Sequence, residues 1–455
     1  MKALASSAWV YTAVTLLSTF ASSAWLDLAS RFFSNLSVYL LHAGEKDERV
    51  EPEQPKKKKK NKQQNKKHFD FPSLAVVKLS RAASYEIKYF STFDQSVTLL
   101  FGIAANCIAT WALGDRVGRN TMLPGMCAVS FLLCVYNTLN TVFLDQTTGR
   151  YERYGLVLLF GLGVAGTYWL LMSRPEIVLG DRAALDSSVE RTMAAAQDLL
   201  RRKGVLSGAG AGAGAAIAVP RHLTLTLVAS LAGHVTSCVF SSALRVAQSY
   251  YMASSSSSSQ QGFAWGAKYL QRPAWVRALW HLAMVAPIAL AAAGLARPTV
   301  GGGLAQSSCC LACVCCHLAV LRPLLQAFLD RGLVEWYETK HSTENAATLG
   351  ALSKYLKSAL QRRLYVLGKV SVQGITLPLL LMSLAPLNLR QSLGQWGVSP
   401  LWGAQSTRGS GVEEREPQDP LIWQVVASYL LWWATCNWSV IFVLSLYLKR
   451  AGVFR

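Results

Sequence analysis

Charge is scarce in this sequence, and negative charge scarcer still. Only 15% of the 455 residues are charged, and 25 acids face 45 bases, while 52% are hydrophobic. A composition so short of charge argues against a soluble globular class and for a membrane one. Catalytic signatures are missing too: there is no GxSxG elbow, no HExxH helix and no phosphate-binding Walker loop. Lone serines and histidines do not make a triad, so an enzyme is the weaker class. No cysteine lies in a loop. All ten, at 107, 127, 134, 238, 309, 310, 313, 315, 316 and 436, fall inside apolar runs. Neither a disulfide framework nor a zinc site built from loops is implied, and no cofactor or metal is expected.

What the chain does have is long uncharged runs. They occur at Ala3 to Leu26, Gln95 to Gly114, Thr121 to Leu144, Tyr154 to Ser173, His222 to Leu244, Ala278 to Ala296, Thr299 to Leu321, Val370 to Leu389 and Leu421 to Leu448. Roughly 20 apolar residues in helical form cross the hydrocarbon core, where unpaired backbone groups are prohibitively costly. The expected fold is therefore all-α, a polytopic integral membrane helical bundle of about nine transmembrane helices. If the first run is a cleaved signal peptide, which Ala21-Ser22-Ser23-Ala24 resembles in form, the number is eight.

Residues 1–26 read as an N-terminal transmembrane anchor, 27–93 as a cytosolic loop and 94–455 as the multi-pass domain. The loop begins acidic and becomes the densest basic block of the chain, Lys56 to Lys60 with Lys62, Lys66 and Lys67, with few apolar residues between Gly44 and His68. Such a stretch reads as disordered. It disfavours translocation, which argues for keeping the first helix. With that loop cytosolic, the alternate segments on its side hold 29 Lys and Arg, leaving aside Arg322 and Lys369, against 14 on the other side. Asn35-Leu36-Ser37 has the form of a glycosylation sequon but would then be cytosolic and unused. The lysine block is a solvated topogenic linker or a tether to anionic lipid. Nucleic acid is not an expected partner, because the net charge of +20 sits in loops beside apolar spans.

Between the fourth and fifth runs, Leu185, Val189, Met193, Ala196 and Leu200 recur at helical spacing, predicting an amphipathic helix at about 183–203. The Gly-Ala alternation from Gly208 to Gly214 and the Ser254 to Ser259 run are low-complexity inserts, and 390–420 reads as irregular.

The polar candidates are few. Cys310, Cys313 and Cys316 have CxxC spacing and His317 follows, but small side chains on one helical face also let helices approach closely. Packing is the preferred reading. His234, His281 and His317 lie within spans and are candidates by position alone. No Asp or Glu lies within an uncharged run, which argues against a pump-type carboxylate relay. Four cations touch helix ends on the cytosolic side: Arg245, Arg277, Arg322 and Lys369. They either snorkel to the interface or converge as a basic vestibule for an anionic ligand, and the functional candidates are Arg245 and Arg322 first. Pro124, Pro287, Pro323 and Pro378 are placed to kink their helices.

The order of these features resembles the eukaryotic transmembrane protein 161 (A/B) family. The resemblance is carried by a single N-terminal helix followed by the basic loop, by the segment Asp186 to Lys203, and by Leu244-Arg245-Val246-Ala247-Gln248. It also rests on Leu321-Arg322-Pro323-Leu324-Leu325-Gln326-Ala327-Phe328-Leu329 and on Leu431-Trp432-Trp433-Ala434. It implies a multi-pass membrane protein without catalytic residues, associated in animals with ion currents, excitability and stress responses. The oligoserine insert, the Gly-Ala linker and the five-cysteine cluster depart from that pattern. The expected function is non-enzymatic regulation of ion currents or membrane transport, with an ion channel or transporter as partner. The alternatives are a channel or transporter in its own right and a structural scaffold of an endomembrane. The expected location is the ER, another endomembrane or the plasma membrane.

Overall fold

A computed structural model describes residues 2–41, 74–113, 120, 122–174, 187–190, 221–255, 272–296, 303–342, 346–396 and 422–451. The elements are α1 (Lys2–Phe20, continued by a wider π-helical turn, Ala21–Trp25), α2 (Leu28–Phe33), β1 (Ser37–Leu41), β2 (Leu74–Lys78) and α3 (Arg81–Ser84). After them come α4 (Phe90–Leu113), α5 (Met122–Leu139, with a π-helical end at Asn140–Leu144), α6 (Arg150–Ser173) and α7 (Arg221–Ser255). The chain closes with α8 (Ala274–Ala296), α9 (Gly303–Ser342), α10 (Ala346–Trp396) and α11 (Ile422–Arg450). Among the described residues, the eight helices α4 to α11 are long and apolar enough to cross a bilayer, and they match eight of the nine uncharged runs. The chain is an all-α, multi-pass membrane protein. The remaining run is α1, which packs on α4 and α5. Its Tyr11 is fully buried, while Trp9, Leu16, Leu17 and Phe20 stand exposed, as lipid-facing side chains would.

The bundle is organised around α10. From Leu367 to Pro386 every residue is buried, and the Lys369 and Gln373 side chains within it belong among other helices rather than against lipid. It contacts α4, α5, α7, α9 and α11. Outside this ring α6 packs on α7, and α8 packs on α9 and α11. The α6–α7 crossing is tight because Gly233 faces Val164 and Phe160; a Cβ at Gly233 would lie 2.5 Å from Val164 Cγ2. Small residues at such crossings let the dispersion contacts of two helices form in lipid, where no hydrophobic effect drives them together. Pro287, Pro323, Pro378 and Pro386 sit inside helices, tolerated because neighbouring helices surround the freed backbone groups. Pro124 falls instead in the first turn of α5, where its missing N–H costs nothing. There Asn120 Oδ1 caps the helix, accepting from the N–H groups of Met122 and Leu123 at 3.0 and 3.1 Å.

Two features depart from the sequence reading. First, α9 and α10 have 40 and 51 residues, or about 60 and about 77 Å at 1.5 Å per residue, against a hydrocarbon core about 30 Å thick. They extend past the apolar runs as a paired helical projection, closed by Leu333, Trp336, Leu356 and Leu360 and by an Arg363–Glu335 ion pair. Second, the segment expected as a loop over 27–93 is structured at both ends. β1 and β2 pair antiparallel, Ser37 with Lys78 through Leu41 with Leu74. Tyr39 on β1 joins the apolar cluster of the projection. The lysine block and Gly44 to His68 lie outside the described residues, as does 208–214. Of the run 254–259, Ser254 and Ser255 end α7, and of the stretch 390–420 expected to be irregular, 390–396 is instead the helical end of α10, the rest of both lying outside the described residues. Of the expected amphipathic helix only 187–190 is described, and it is helical.

Candidate functional site

From four of the segments read as sharing one side of the membrane, charged side chains come together: Lys88 with Asp145, Arg245 with Glu152, and Lys369 and Arg362 with Thr148 and Thr147. The turn between α5 and α6, residues 145–149, is the hub. A helix C-terminus leaves carbonyls without intrahelical partners and carries partial negative charge. Here Arg153 serves them, donating from Nε to Val142 O at 3.2 Å and from Nη2 to Asp145 O at 2.7 Å. The Thr148 hydroxyl donates to Thr141 O at 3.0 Å, and Arg362 reaches Thr147 O at 3.3 Å.

Lys369 on α10 enters this turn from the bundle interior. It is 1% exposed, donates from Nζ to Thr148 Oγ1 and stands 3.8 Å from Asp145 Oδ2. The other carboxylate oxygen of Asp145 is 3.2 Å from Lys88 Nζ. Lys88 lies against the Tyr89 and Tyr365 rings, 4.8 and 5.0 Å from their centroids. The backbone before α4 must come this close to α10, and Gly368 permits it. A Cβ there would fall 1.9 Å from Lys88 O.

Beside Lys369, Arg245 on α7 pairs with Glu152 on α6, Nη2 to Oε2 at 2.8 Å. Its Nε donates to Gln373 Oε1 at 3.1 Å and its Nη1 to Gln248 Oε1 at 3.3 Å. Gln373, which accepts from Arg245, lies one helical turn after Lys369 on α10, so the two ion pairs are neighbours in one cluster. Four cations (Lys88, Arg153, Arg245, Lys369) meet two carboxylates, leaving a positive surplus. Among the described residues, Glu152 Oε1 and Gln373 Nε2 are buried with no hydrogen-bond partner, so the cluster keeps an unused acceptor and an unused donor.

Two groups of the cluster lie outside the spans and have displaced protonation. Burial pushes the Asp145 carboxyl up, but the hydroxyl and N–H of Thr147, then Lys88 and the charge of Lys369, outweigh it and hold it below the usual carboxylate range. Lys88 is raised, first by its hydrogen bond with Tyr365 and then by Asp145 and Tyr89, against the opposing effect of burial.

Of the four expected cations, then, Arg245 and Lys369 converge. The single vestibule of four does not form. Arg277 on α8 is exposed, and Arg322 on α9 bonds instead to Ser34 O at 2.9 Å at the margin of another cleft. The sequence reading singled out no carboxylate, yet Asp145, Glu152 and Asp330 each pair with a cation. They were missed because they sit just beyond the uncharged runs, on helix turns whose burial depends on neighbours. The histidines meet aromatic or backbone partners. His234 packs on Phe160 with tilted rings, centroids 4.9 Å apart, and His281 Nδ1 is 2.8 Å from Tyr250 OH. His317 donates from Nδ1 to Cys313 O at 3.0 Å and meets Trp438 edge-on. All ten cysteines are free, and among the described residues no group of three His, Cys, Asp or Glu is disposed to hold a metal ion. Comparison with family models, with curated proteins and with solved structures gives no match for this chain.

Proposed function

We propose that this multi-pass membrane protein is not an enzyme, and that it regulates ion currents or membrane transport through the charged cluster around Lys369. The observation that carries the reading is a lysine 1% exposed on the central helix, bonded to Thr148 and 3.8 Å from Asp145, in a cluster to which the α5–α6 turn, α6, α7 and the segment before α4 contribute. Ionisable groups inside a membrane bundle are costly, and they are retained where charge has work to do. The resemblance to the transmembrane protein 161 family points to ion currents, and it brings no catalytic residues. A regulator is favoured over a pore because α10, buried on every face from Leu367 to Pro386, fills the bundle axis with side chains.

A transporter is the second reading. The unpartnered Glu152 Oε1 and Gln373 Nε2 are the kind of open acceptor and donor that a coupled ion or substrate would use. Purified protein in lipid vesicles, examined by ion flux and current recording, separates the two. A regulator is silent there yet changes currents in cells, and Lys369→Met abolishes the cellular effect. Flux in vesicles that Glu152→Gln removes would establish the transporter. Silence in vesicles with unchanged currents in cells expressing or lacking the protein would overturn both.

A further inference from the structure

A second polar site, apart from the Lys369 cluster and independent of its reading, lies where α9 leaves the apolar part of the bundle. A cleft of about 300 Å³ opens between β1, β2, the start of α8 and the middle of α9. Arg322, Gln326 and Asp330 are spaced four apart on α9 and so share one face. Gln326 treats β1 as a strand partner would. Its Oε1 accepts from Ser37 N at 2.8 Å and its Nε2 donates to Ser37 O at 3.2 Å. Three cations from three elements border the space: Lys78 on β2, Arg272 just before α8, and Arg322.

One carboxylate, Asp330, faces them, and it is already occupied. Its Oδ1 accepts from Tyr39 OH at 2.8 Å and from Gln326 Nε2 at 2.7 Å, and its Oδ2 pairs with Arg272. At 3% exposed, Asp330 orients Arg272 without neutralising Lys78 or Arg322. Lys78 uses one N–H on Ser37 Oγ at 3.0 Å, and Arg322 uses one on Ser34 O. Among the described residues the cleft thus sets three cations against one carboxylate, which leaves a positive surplus and spare donors. Guanidinium groups match phosphate oxygens in pairs, whereas an ammonium meets them as a point charge. The depth fits as well: the neighbouring Trp275 is 68% exposed, in the manner of tryptophans at the headgroup level.

We propose that this cleft binds a phosphate-bearing anion, with Arg322 and Lys78 as its free cations and Arg272 held ready by Asp330. Phosphate can arrive on a phospholipid headgroup or on a soluble compound, and the test distinguishes them. Full-length protein in phosphatidylcholine nanodiscs is exposed to short-chain phosphatidic acid, to glycerol 3-phosphate and to inorganic phosphate. Retention is measured by native mass spectrometry and by thermal stabilisation.

Phosphatidic acid is expected to bind in a salt-sensitive way, and Arg322→Gln or Lys78→Gln each weakens it about fivefold. Arg277→Gln, on an exposed side chain at the same end, leaves binding unchanged. Displacement of the lipid by glycerol 3-phosphate at similar concentration assigns the site to soluble phosphates; failure to displace it assigns the site to lipid. If the Arg322→Gln, Lys78→Gln double variant melts as the wild type does and still retains phosphatidic acid equally, the proposal is overturned. The same follows if none of the three probes binds. Should the double variant fail to fold, Arg322→Gln alone decides the matter, because that side chain is exposed and makes one hydrogen bond.

Discussion

Lys369 and its neighbours show how a few charges can be tolerated inside an apolar bundle: each carboxylate is paired with a cation, and either partner would be stranded alone. Removing one partner of a buried pair costs about 3–5 kcal/mol, far more than removing both. We therefore expect Arg245→Ala to lower the melting temperature of the purified protein sharply. Arg245→Ala with Glu152→Ala should recover part of that loss, and a cycle of the four proteins measures the coupling. Asp145 and Lys88 make a prediction in pH. The Asp145 carboxyl is depressed in the folded state, so its contribution is complete above about pH 4 and is lost as pH falls through the lowered value. Lys88 is raised, so its contribution is complete below about pH 10.4 and is lost only as pH rises through the raised value. Thermal stability should thus fall at both extremes, with Asp145→Asn flattening the acid limb and Lys88→Met the alkaline one. Lys88 and Arg153 were not singled out in the sequence, whereas Arg245 and Lys369 were legible there as helix-end charges. Their partners were not, since Asp145 and Glu152 look like loop residues until α5, α6 and α10 are packed.

At the scale of elements, one close contact decides whether α10 can occupy the centre. Gly368 lets the backbone at Lys88 approach it, and no side chain rotation relieves a Cβ set 1.9 Å from a carbonyl oxygen. Gly368→Ala is expected to cost more than the roughly 1–3 kcal/mol of ordinary overpacking. Gly125→Ala, where a Cβ meets nothing within 4 Å, should be tolerated; yield of monodisperse protein on gel filtration reports both. The projection of α9 and α10 depends on its own small core. Leu356 is 1% exposed there, and Leu356→Ala should cost about 2–5 kcal/mol, read as protease sensitivity confined to the projection while the bundle stays intact. The strands that brace this projection lie in a segment the sequence reading took as loop. Ser37-Val38-Tyr39-Leu40-Leu41 and Leu74-Ala75-Val76-Val77 are short β-favouring runs. Their pairing was not legible, because 32 residues of chain separate them and register is set only by the partner strand.

The whole molecule places segments from distant parts of the chain at one end: Ser34 against Arg322, Lys88 against Asp145, Arg245 against Glu152. We expect α1 to be retained and Asn35 to carry no glycan, because Asn106 Nδ2 donates to Thr15 Oγ1 at 2.9 Å and Tyr11 is fully buried. Sequencing of the mature chain and glycosidase treatment check this; a mature N-terminus near Trp25 would show that α1 is dispensable. The sequence by itself determined the membrane class, the positions of the spans and which helix ends carry cations. Each of these follows from local composition, since lipid demands an unbroken apolar run whose backbone is satisfied within its own helix. Only the tertiary structure decided that α10 is central, that Arg245 joins Lys369 while Arg322 turns to the β1–β2 cleft, and that three carboxylates are drawn inside. Which side chains face each other depends on the rotation of each helix about its axis, and that is set by packing against neighbours far away in the chain.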